Sequence, residues 1–188
     1  MNTLEKIKFD LKNCLSKERY EHSLRVADEA KRLAKYYNIS EENAYIAGLL
    51  HDIAKEYNKE ENERIVSKYN LDKNLLDDLN KRISHAEIGA VIALEKYKVD
   101  DDVADAIRYH TIGNIKMNLL AKIIFIADKI EPLKKYIGIE EERRLAYINI
   151  DLALIECLKN TELKLANEGK TLNIETKRLL EYLNINNL

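Results

Sequence analysis

Apolar residues recur at intervals of three and four along most of the chain, which predicts amphipathic helices rather than strands. The first helix is expected from about Leu4 to Leu15, and a second one after Ser16. Ser40 is a predicted N-cap, because the two residues after it are acidic and the helix dipole favours negative charge there. Asn58 and Glu61 have the spacing of a capping box at the start of a short polar helix.

The middle of the chain continues this helical pattern. Another short helix is expected from about Asn74, and Ser84 with Glu87 predicts a second capping box that opens the next one. A further helix is expected to end near His110, where turn-forming residues follow. In total the pattern predicts about eight to ten helices.

The apolar segment Leu119–Ile130 is the best candidate for a fully buried central helix, and Pro132 is expected to stop it. The segments 140–169 and 174–183 are expected to be helical scaffold. With only five glycines, one proline and no convincing strand pair, the fold class is predicted to be all-α.

Charge and composition exclude several classes of protein. The formal net charge of -2 offers no general basic surface for nucleic acid, so nucleic-acid partners are not expected. Cys14 and Cys157 lie far apart without a CxxC pair, which argues against a disulfide framework or a cysteine zinc site. The sequence shows neither a signal peptide nor a membrane span. These features together predict a cytoplasmic protein without a membrane partner.

The candidate chemistry lies in four histidines and two aspartates, of which one aspartate directly follows a histidine. They are His22, His51, Asp52, His85, His110 and Asp128. Asp128 is the only acid in the central apolar segment, and Ile124 and Phe125 one turn earlier are apolar, so its partner is expected from elsewhere in the fold. Imidazoles and carboxylates without thiolates suit iron, manganese, cobalt or zinc. On this chemistry alone, a binuclear metal site and a set of ordinary core side chains remain equally open.

Five sequence blocks add a family resemblance. They read HSLRVA at 22–27, GLLHDIAK at 48–55, SHAEIGA at 84–90, AIRYHTIG at 106–113 and IADKIEP at 126–132. In order and content they resemble the HD superfamily of metal-dependent phosphohydrolases and, more narrowly, its YqeK-like symmetrical diadenosine tetraphosphate hydrolases.

The resemblance implies a single HD-type helical bundle over residues 1–188, with the motifs in about 16–143, a C-terminal scaffold in about 144–188 and a binuclear metal site in the core. It implies an enzyme that cleaves diadenosine tetraphosphate symmetrically to two ADP with a metal-activated water. The cofactor would be two divalent or mixed-valence ions, with iron favoured and Mn, Co, Zn or Mg as alternatives. The first ion would be held by His22, His51, Asp52 and Asp128, and the second by His85 and His110, with Asp52 bridging the two.

Residues near these motifs are candidates for binding an anionic substrate. Lys55 lies on the helical face of His51 and Asp52, and with Asp52 it is assigned a catalytic role. Lys134 stands where relatives often carry arginine, which leaves the preferred nucleotide less certain because lysine does not bind phosphate bidentately. The predicted substrate-binding residues are Arg25, Lys55, Thr111, Gly113 and Lys134.

Other functions remain open at this stage. A nucleotidase or a deoxynucleoside triphosphate hydrolase of the same superfamily would share the metal ligands, whereas a cyclic-dinucleotide phosphodiesterase lacks support because no GYP tripeptide is present. A non-enzymatic module that binds nucleotide or metal is a further alternative. The expected partner is a small dinucleoside polyphosphate or nucleotide, and a homodimer is possible.

Overall fold

The chain folds into ten α-helices in a computed structural model that describes residues 2–77 and 81–186, apart from the side chains of residues 81 and 82. These two ranges contain no strand, so the all-α prediction is confirmed. A short 3-10 helix, Lys73–Leu76, precedes α5, and a π-helical turn, Ala93–Tyr97, extends α5. The helices are α1 (Thr3–Cys14), α2 (Lys17–Tyr36), α3 (Glu41–Leu50), α4 (Lys59–Lys68), α5 (Lys81–Ile92), α6 (Asp101–Tyr109), α7 (Leu119–Ile130), α8 (Ile139–Ala146), α9 (Ile150–Asn167) and α10 (Ile174–Asn186).

Polar caps define where the first helices begin. The Ser16 hydroxyl accepts the Arg19 N–H at the start of α2, and the Ser40 hydroxyl accepts a backbone N–H at the start of α3. Asn58 and Glu61 form the predicted capping box of α4, with each side chain accepting a backbone N–H of the other residue. These three helix starts are therefore confirmed.

Two predicted helix starts are wrong. The helix expected from about Asn74 is only a single 3-10 turn, because the Asp72 side chain accepts the Asn74 N–H and Asp77 already has extended backbone angles. Ser84 and Glu87 do not open a helix either. The chain is already helical at Lys81, so Ser84 lies within α5, where it is buried at 4% exposure.

Helix α7 lies at the centre of the molecule, as predicted, and packs against α2, α3, α6, α8 and α9. Most of its side chains are buried, including those of Ile124 and Phe125, because it meets neighbours on several sides. It ends at Ile130, with Glu131 as its C-cap immediately before Pro132. None of the helices in the described ranges combines the length and apolar character needed to cross a membrane.

The closest packing of α2 and α3 occurs at Gly48. A Cβ atom on Gly48 would lie 2.6 Å from the Cα of Ala27 and 2.9 Å from its backbone nitrogen. Only glycine allows the two helix backbones to approach this closely. As a result α2, which carries His22, lies directly against the end of α3, where His51 and Asp52 follow.

Candidate metal centre

The fold brings the six candidate ligands to one place from five different helices. Each histidine is at most 5% exposed, Asp52 is 3% exposed, and the Asp128 side chain is 14% exposed. His22 lies on α2, His51 and Asp52 at the end of α3, His85 on α5, His110 at the end of α6, and Asp128 on α7.

The Asp52 carboxylate lies between two groups of histidines. Its Oδ2 is 3.4 Å from His51 Nε2 and 4.0 Å from His22 Nε2. Its Oδ1 faces the other way, at 3.2 Å from His85 Nε2 and 3.5 Å from His110 Nε2. One carboxylate oxygen is therefore available to each group, which is the arrangement that a bridging ligand requires.

Each group is compact enough to surround one ion. The potential ligand atoms of His22, His51 and Asp52 lie within 4.8 Å of one another, as do those of Asp52, His85 and His110. Asp128 adds to the first group, because its Oδ1 is 3.1 Å from His22 Nε2 and 3.9 Å from His51 Nε2. The geometry thus separates the ligands into a group of four and a group of three that share Asp52.

Helix ends orient two of the rings. The His51 Nδ1 lies 2.7 Å from the Gly48 carbonyl, and the His110 Nδ1 lies 2.7 Å from the Ile107 carbonyl. These carbonyls belong to the last turns of α3 and α6, where helix acceptors lack intrahelical partners. A proton on each Nδ1 satisfies the carbonyl and leaves Nε2 as a lone-pair donor that faces Asp52.

The unsatisfied atoms of the site fit metal ions. His22 Nε2, His51 Nε2 and Asp52 Oδ1 are buried, and no hydrogen-bond partner satisfies them among the described residues. Such groups are costly in a protein interior unless something binds them. Imidazole nitrogens and carboxylate oxygens are ligands for borderline divalent ions, so the donor set and the geometry suit metal binding.

The electrostatics of the site also favour metal binding. Burial lowers the pKa of His85 to about 4 and also lowers the pKa of His110, so both rings are neutral near pH 7, the form that binds a metal. Burial alone would raise the pKa of Asp52, but the electrostatic influence of His51 and the other surrounding rings holds it well below its usual value. The carboxylate therefore remains ionised.

The partner of Asp128 corrects one expectation. A partner from elsewhere in the fold was expected, but Lys129, the next residue, donates from Nζ to Asp128 Oδ2 at 2.8 Å. Burial raises the pKa of Asp128, but the Lys129 ammonium together with the neighbouring His22, His51 and His110 rings holds it well below its usual value. Helical spacing points to residues one turn away, whereas the long Lys129 side chain bends back to the adjacent carboxylate. Oδ1 remains directed at His22.

Glu131 is a functional candidate that lies in the IADKIEP block but was assigned no role in the predicted site. It is 2% exposed, and its Oε1 lies 3.3 Å from His22 Nδ1. Its Oε2 accepts the Arg25 Nε–H and the Leu133 backbone N–H, both at 2.8 Å. Glu131 thus orients His22 as the carbonyls orient the other two rings. Its signals in the sequence were its place in the IADKIEP block and its position directly after the most apolar helix.

Two cations border the site on the Asp52 side. Lys55 Nζ is 3.0 Å from His85 Nε2 and 3.7 Å from Asp52 Oδ1, and about a third of its side chain is exposed. Arg19 donates to Asp52 Oδ2 at 2.8 Å. Arg25, in contrast, is bound to Glu131 rather than to any of the ligands.

The other predicted substrate residues occupy different positions. Thr111 Oγ1 is 3.3 Å from His110 Nε2, so Thr111 adjoins the site. The Gly113 N–H donates to the Tyr109 carbonyl and closes the turn. Gly113 has a φ of 72°, a left-handed backbone conformation that favours glycine at this position. Lys134 follows the end of α7 and lines a cleft beside the metal centre.

Comparisons with known proteins agree with this arrangement. Residues 19–133 match the HD domain family. A symmetrical bis(5'-nucleosyl)-tetraphosphatase of Bacillus subtilis is 40% identical over 80% of this chain and 81% of its own, and one of Staphylococcus aureus is 36% identical over 96% and 94%. A crystal structure from Clostridium acetobutylicum, described as a "predicted HD superfamily hydrolase involved in NAD metabolism", superposes with a TM-score of 0.88 at 37% identity over 99% of both chains.

Proposed function

Because the chain belongs to the HD domain family, we propose that it is a metal-dependent hydrolase that cleaves diadenosine tetraphosphate symmetrically to two ADP. The names of its relatives support this substrate, since two of them are symmetrical tetraphosphatases that align over most of the chain. The single observation that carries the proposal is the convergence of four buried histidines on opposite oxygens of Asp52.

The proposed metal ligands follow the two groups. His22, His51 and Asp128 would hold one ion, His85 and His110 the other, with Asp52 bridging both. We propose iron as the native ion, although manganese, cobalt, zinc and magnesium suit parts of the same donor set. A bound pair of divalent cations would lower the pKa of water and neutralise phosphate oxygens, the two requirements of phosphoanhydride hydrolysis.

The chain's own residues have three tasks in this reaction. Asp52 remains ionised and fixes the geometry in which an inner phosphate and a water meet. Lys55 is placed so that its ammonium can donate to a phosphate oxygen held beside His85, which stabilises charge that develops as ADP leaves. Thr111 offers a hydroxyl next to His110. These local donors allow a chain with a net charge of -2 to bind a polyanion.

Two further contacts complete the proposed substrate site. Arg25 donates from Nε and Nη2 to Glu131, so Nη1 is the group it can offer to a phosphate. Lys134, which follows the end of α7 and lines the neighbouring cleft, would bind a more distant phosphate of the same chain of four. Gly113 contributes turn geometry rather than a donor, because its N–H is already bonded.

Product analysis tests the function directly. The full chain is loaded with Fe²⁺ or Mn²⁺ under anaerobic conditions, incubated with diadenosine tetraphosphate, and the products are separated by ion-exchange chromatography. We expect ADP alone from the wild-type chain and no product from Asp52→Ala. Asp151→Ala is the matched control, because Asp151 pairs with Lys122 on the scaffold.

The products also separate the competing functions. ATP with AMP would indicate asymmetric cleavage and contradict the proposal. Release of inorganic phosphate or nucleoside instead of ADP would favour a nucleotidase. A fully metal-loaded chain that hydrolyses no nucleotide would indicate a binding module. Near-normal turnover by Asp52→Ala would refute the bridging role.

A further inference from the structure

A cleft of about 1470 Å³ opens beside the metal centre, between the end of α7, the second half of α9 and the start of α10. Its volume exceeds the roughly 300–1,000 Å³ that is usual for small-molecule sites, so a nucleotide fits within part of it. A second, smaller pocket of about 210 Å³ on the other side of Thr111 is too small for a nucleotide.

The cleft adjoins the metal centre, although none of the six candidate ligands lines it. Thr111 lines it, and the Thr111 hydroxyl is 3.3 Å from His110 Nε2 in the second ligand group. Lys129 also lines it, and its Nζ is 2.8 Å from Asp128 Oδ2 in the first group. Two residues of the cleft wall therefore contact candidate metal ligands, one in each group.

The charge of the cleft favours an anion. Its wall holds five lysines and two glutamates, which are Lys129, Lys134, Lys135, Lys164, Lys170, Glu142 and Glu168. Glu142 is fully buried, and its carboxylate accepts hydrogen bonds from Tyr136 and Asn160. Apart from Lys129 and Lys170, which pair with neighbouring acids, the lysines of the wall have no ion pair in the described ranges.

Apolar side chains lie between these lysines. Phe125 and Leu158 form the buried base of the cleft, at 2% and 1% exposure. Leu163 and Ile137 stand on its rim, at 65% and 98% exposure. An apolar surface with separate cationic groups is the combination that an adenine base and its phosphates require, since the base buries apolar area and the phosphates bind ammonium groups.

We propose that this cleft binds one ADP arm of the dinucleotide, with its phosphates along Lys129 and Lys134 and its adenosine against Leu163 and the α9 side of the cleft. The proposal rests on the proposed function and extends it by locating one half of the substrate.

Two exposed positions on α9 allow a test that leaves the metal ligands untouched. We expect Leu163→Ser and Lys164→Glu each to raise the KM for diadenosine tetraphosphate by about 3–10-fold with little change in kcat, through lost apolar contact and reversed charge. The matched control is Lys159→Glu, an exposed lysine of the same helix outside the cleft, and its KM should stay at the wild-type value.

Inorganic tetraphosphate separates the nucleoside contact from the phosphate contacts. As a competitive inhibitor it should bind Leu163→Ser as tightly as the wild-type chain, because it has no nucleoside. Equal losses of dinucleotide and tetraphosphate affinity in this variant, or an unchanged KM in both cleft variants, would overturn the proposal.

Photoaffinity labelling decides the location even if the substrate is a different one. The metal-loaded full chain is irradiated with 8-azido-ADP and digested, and the labelled peptides are identified by mass spectrometry. Label within residues 158–172 that excess ADP suppresses supports the cleft. Label confined to residues 108–114, or insensitive to ADP, refutes it. If the wild-type chain produces no ADP from the dinucleotide but is still labelled in 158–172, the proposed function fails while the nucleotide site stands.

Discussion

Glu131→Ala is expected to weaken metal binding without touching any metal ligand. The variant removes the carboxylate that lies 3.3 Å from His22 Nδ1 and accepts the Arg25 Nε–H at 2.8 Å. The His22 ring then loses the partner that fixes its tautomer and orientation. Its Nε2, 3.1 Å from Asp128 Oδ1, no longer points reliably into the first ligand group.

The expected size of the effect follows from these contacts. Loss of the carboxylate that orients a metal-binding histidine typically reduces metal affinity by about 10–100-fold, equivalent to about 1.4–2.7 kcal/mol. The lost hydrogen bonds also lower the free energy of unfolding by about 1–3 kcal/mol, because Arg25 and Leu133 each lose an acceptor. Arg25 remains a quarter exposed, so water can solvate its freed charge.

Glu29→Ala is the matched control for this prediction. Glu29 is another buried acid, on α2 and 7% exposed, and it binds Arg32 and the Tyr147 hydroxyl but no ligand residue. Isothermal titration of Mn²⁺ into the metal-free chain should show weakened binding for Glu131→Ala alone, while urea unfolding shows both variants destabilised. Glu131→Gln should recover part of the affinity. Wild-type affinity in Glu131→Ala, or an equal loss in the control, would refute the orienting role.

Three other predictions concern packing, substrate and metal. Gly48→Ala should lower the free energy of unfolding by about 1–3 kcal/mol in urea, since its Cβ would meet the Ala27 backbone at 2.6 Å. Gly89→Ala should cost much less, because its Cβ would meet two side chains at 3.4 Å and no backbone atom closer than 3.8 Å; equal effects would contradict the close approach at Gly48. Lys55→Ala should raise KM and lower kcat while metal content, measured by mass spectrometry, stays at the wild-type value; lost metal would make Lys55 structural. Metal at 100 times its Kd should stabilise the chain by about 2.7 kcal/mol in thermal melts, and Asp52→Ala should lose most of this gain.

The sequence predicted most of the helices because their caps and apolar faces depend on local patterns. The caps at Ser40 and Asn58 are formed within three residues of the chain, so their spacing is sufficient evidence. Ser84 has the same spacing with Glu87, but the helix continues on its N-terminal side, and no local signal distinguishes a cap from a buried serine within a helix.

The features that escaped prediction depend on tertiary contacts. Glu131 acquires its role only when α2 brings His22 and Arg25 against the end of α7, more than one hundred residues away in the chain. Lys129 was overlooked because helical spacing places residues three or four apart on one face, whereas this lysine reaches its immediate neighbour Asp128. The cleft is formed partly by α9 and α10, two helices that were expected to be scaffold.

The metal-to-protein ratio tests the central claim most directly. The anaerobically purified chain, saturated with Fe²⁺ or Mn²⁺ and freed of excess metal, is analysed by inductively coupled plasma mass spectrometry beside Asp52→Ala. Since Asp52 offers one oxygen to each histidine group, we expect close to two ions per wild-type chain and fewer than one in the variant. A wild-type chain that retains no divalent ion, or a variant that retains two, would contradict the shared binuclear centre.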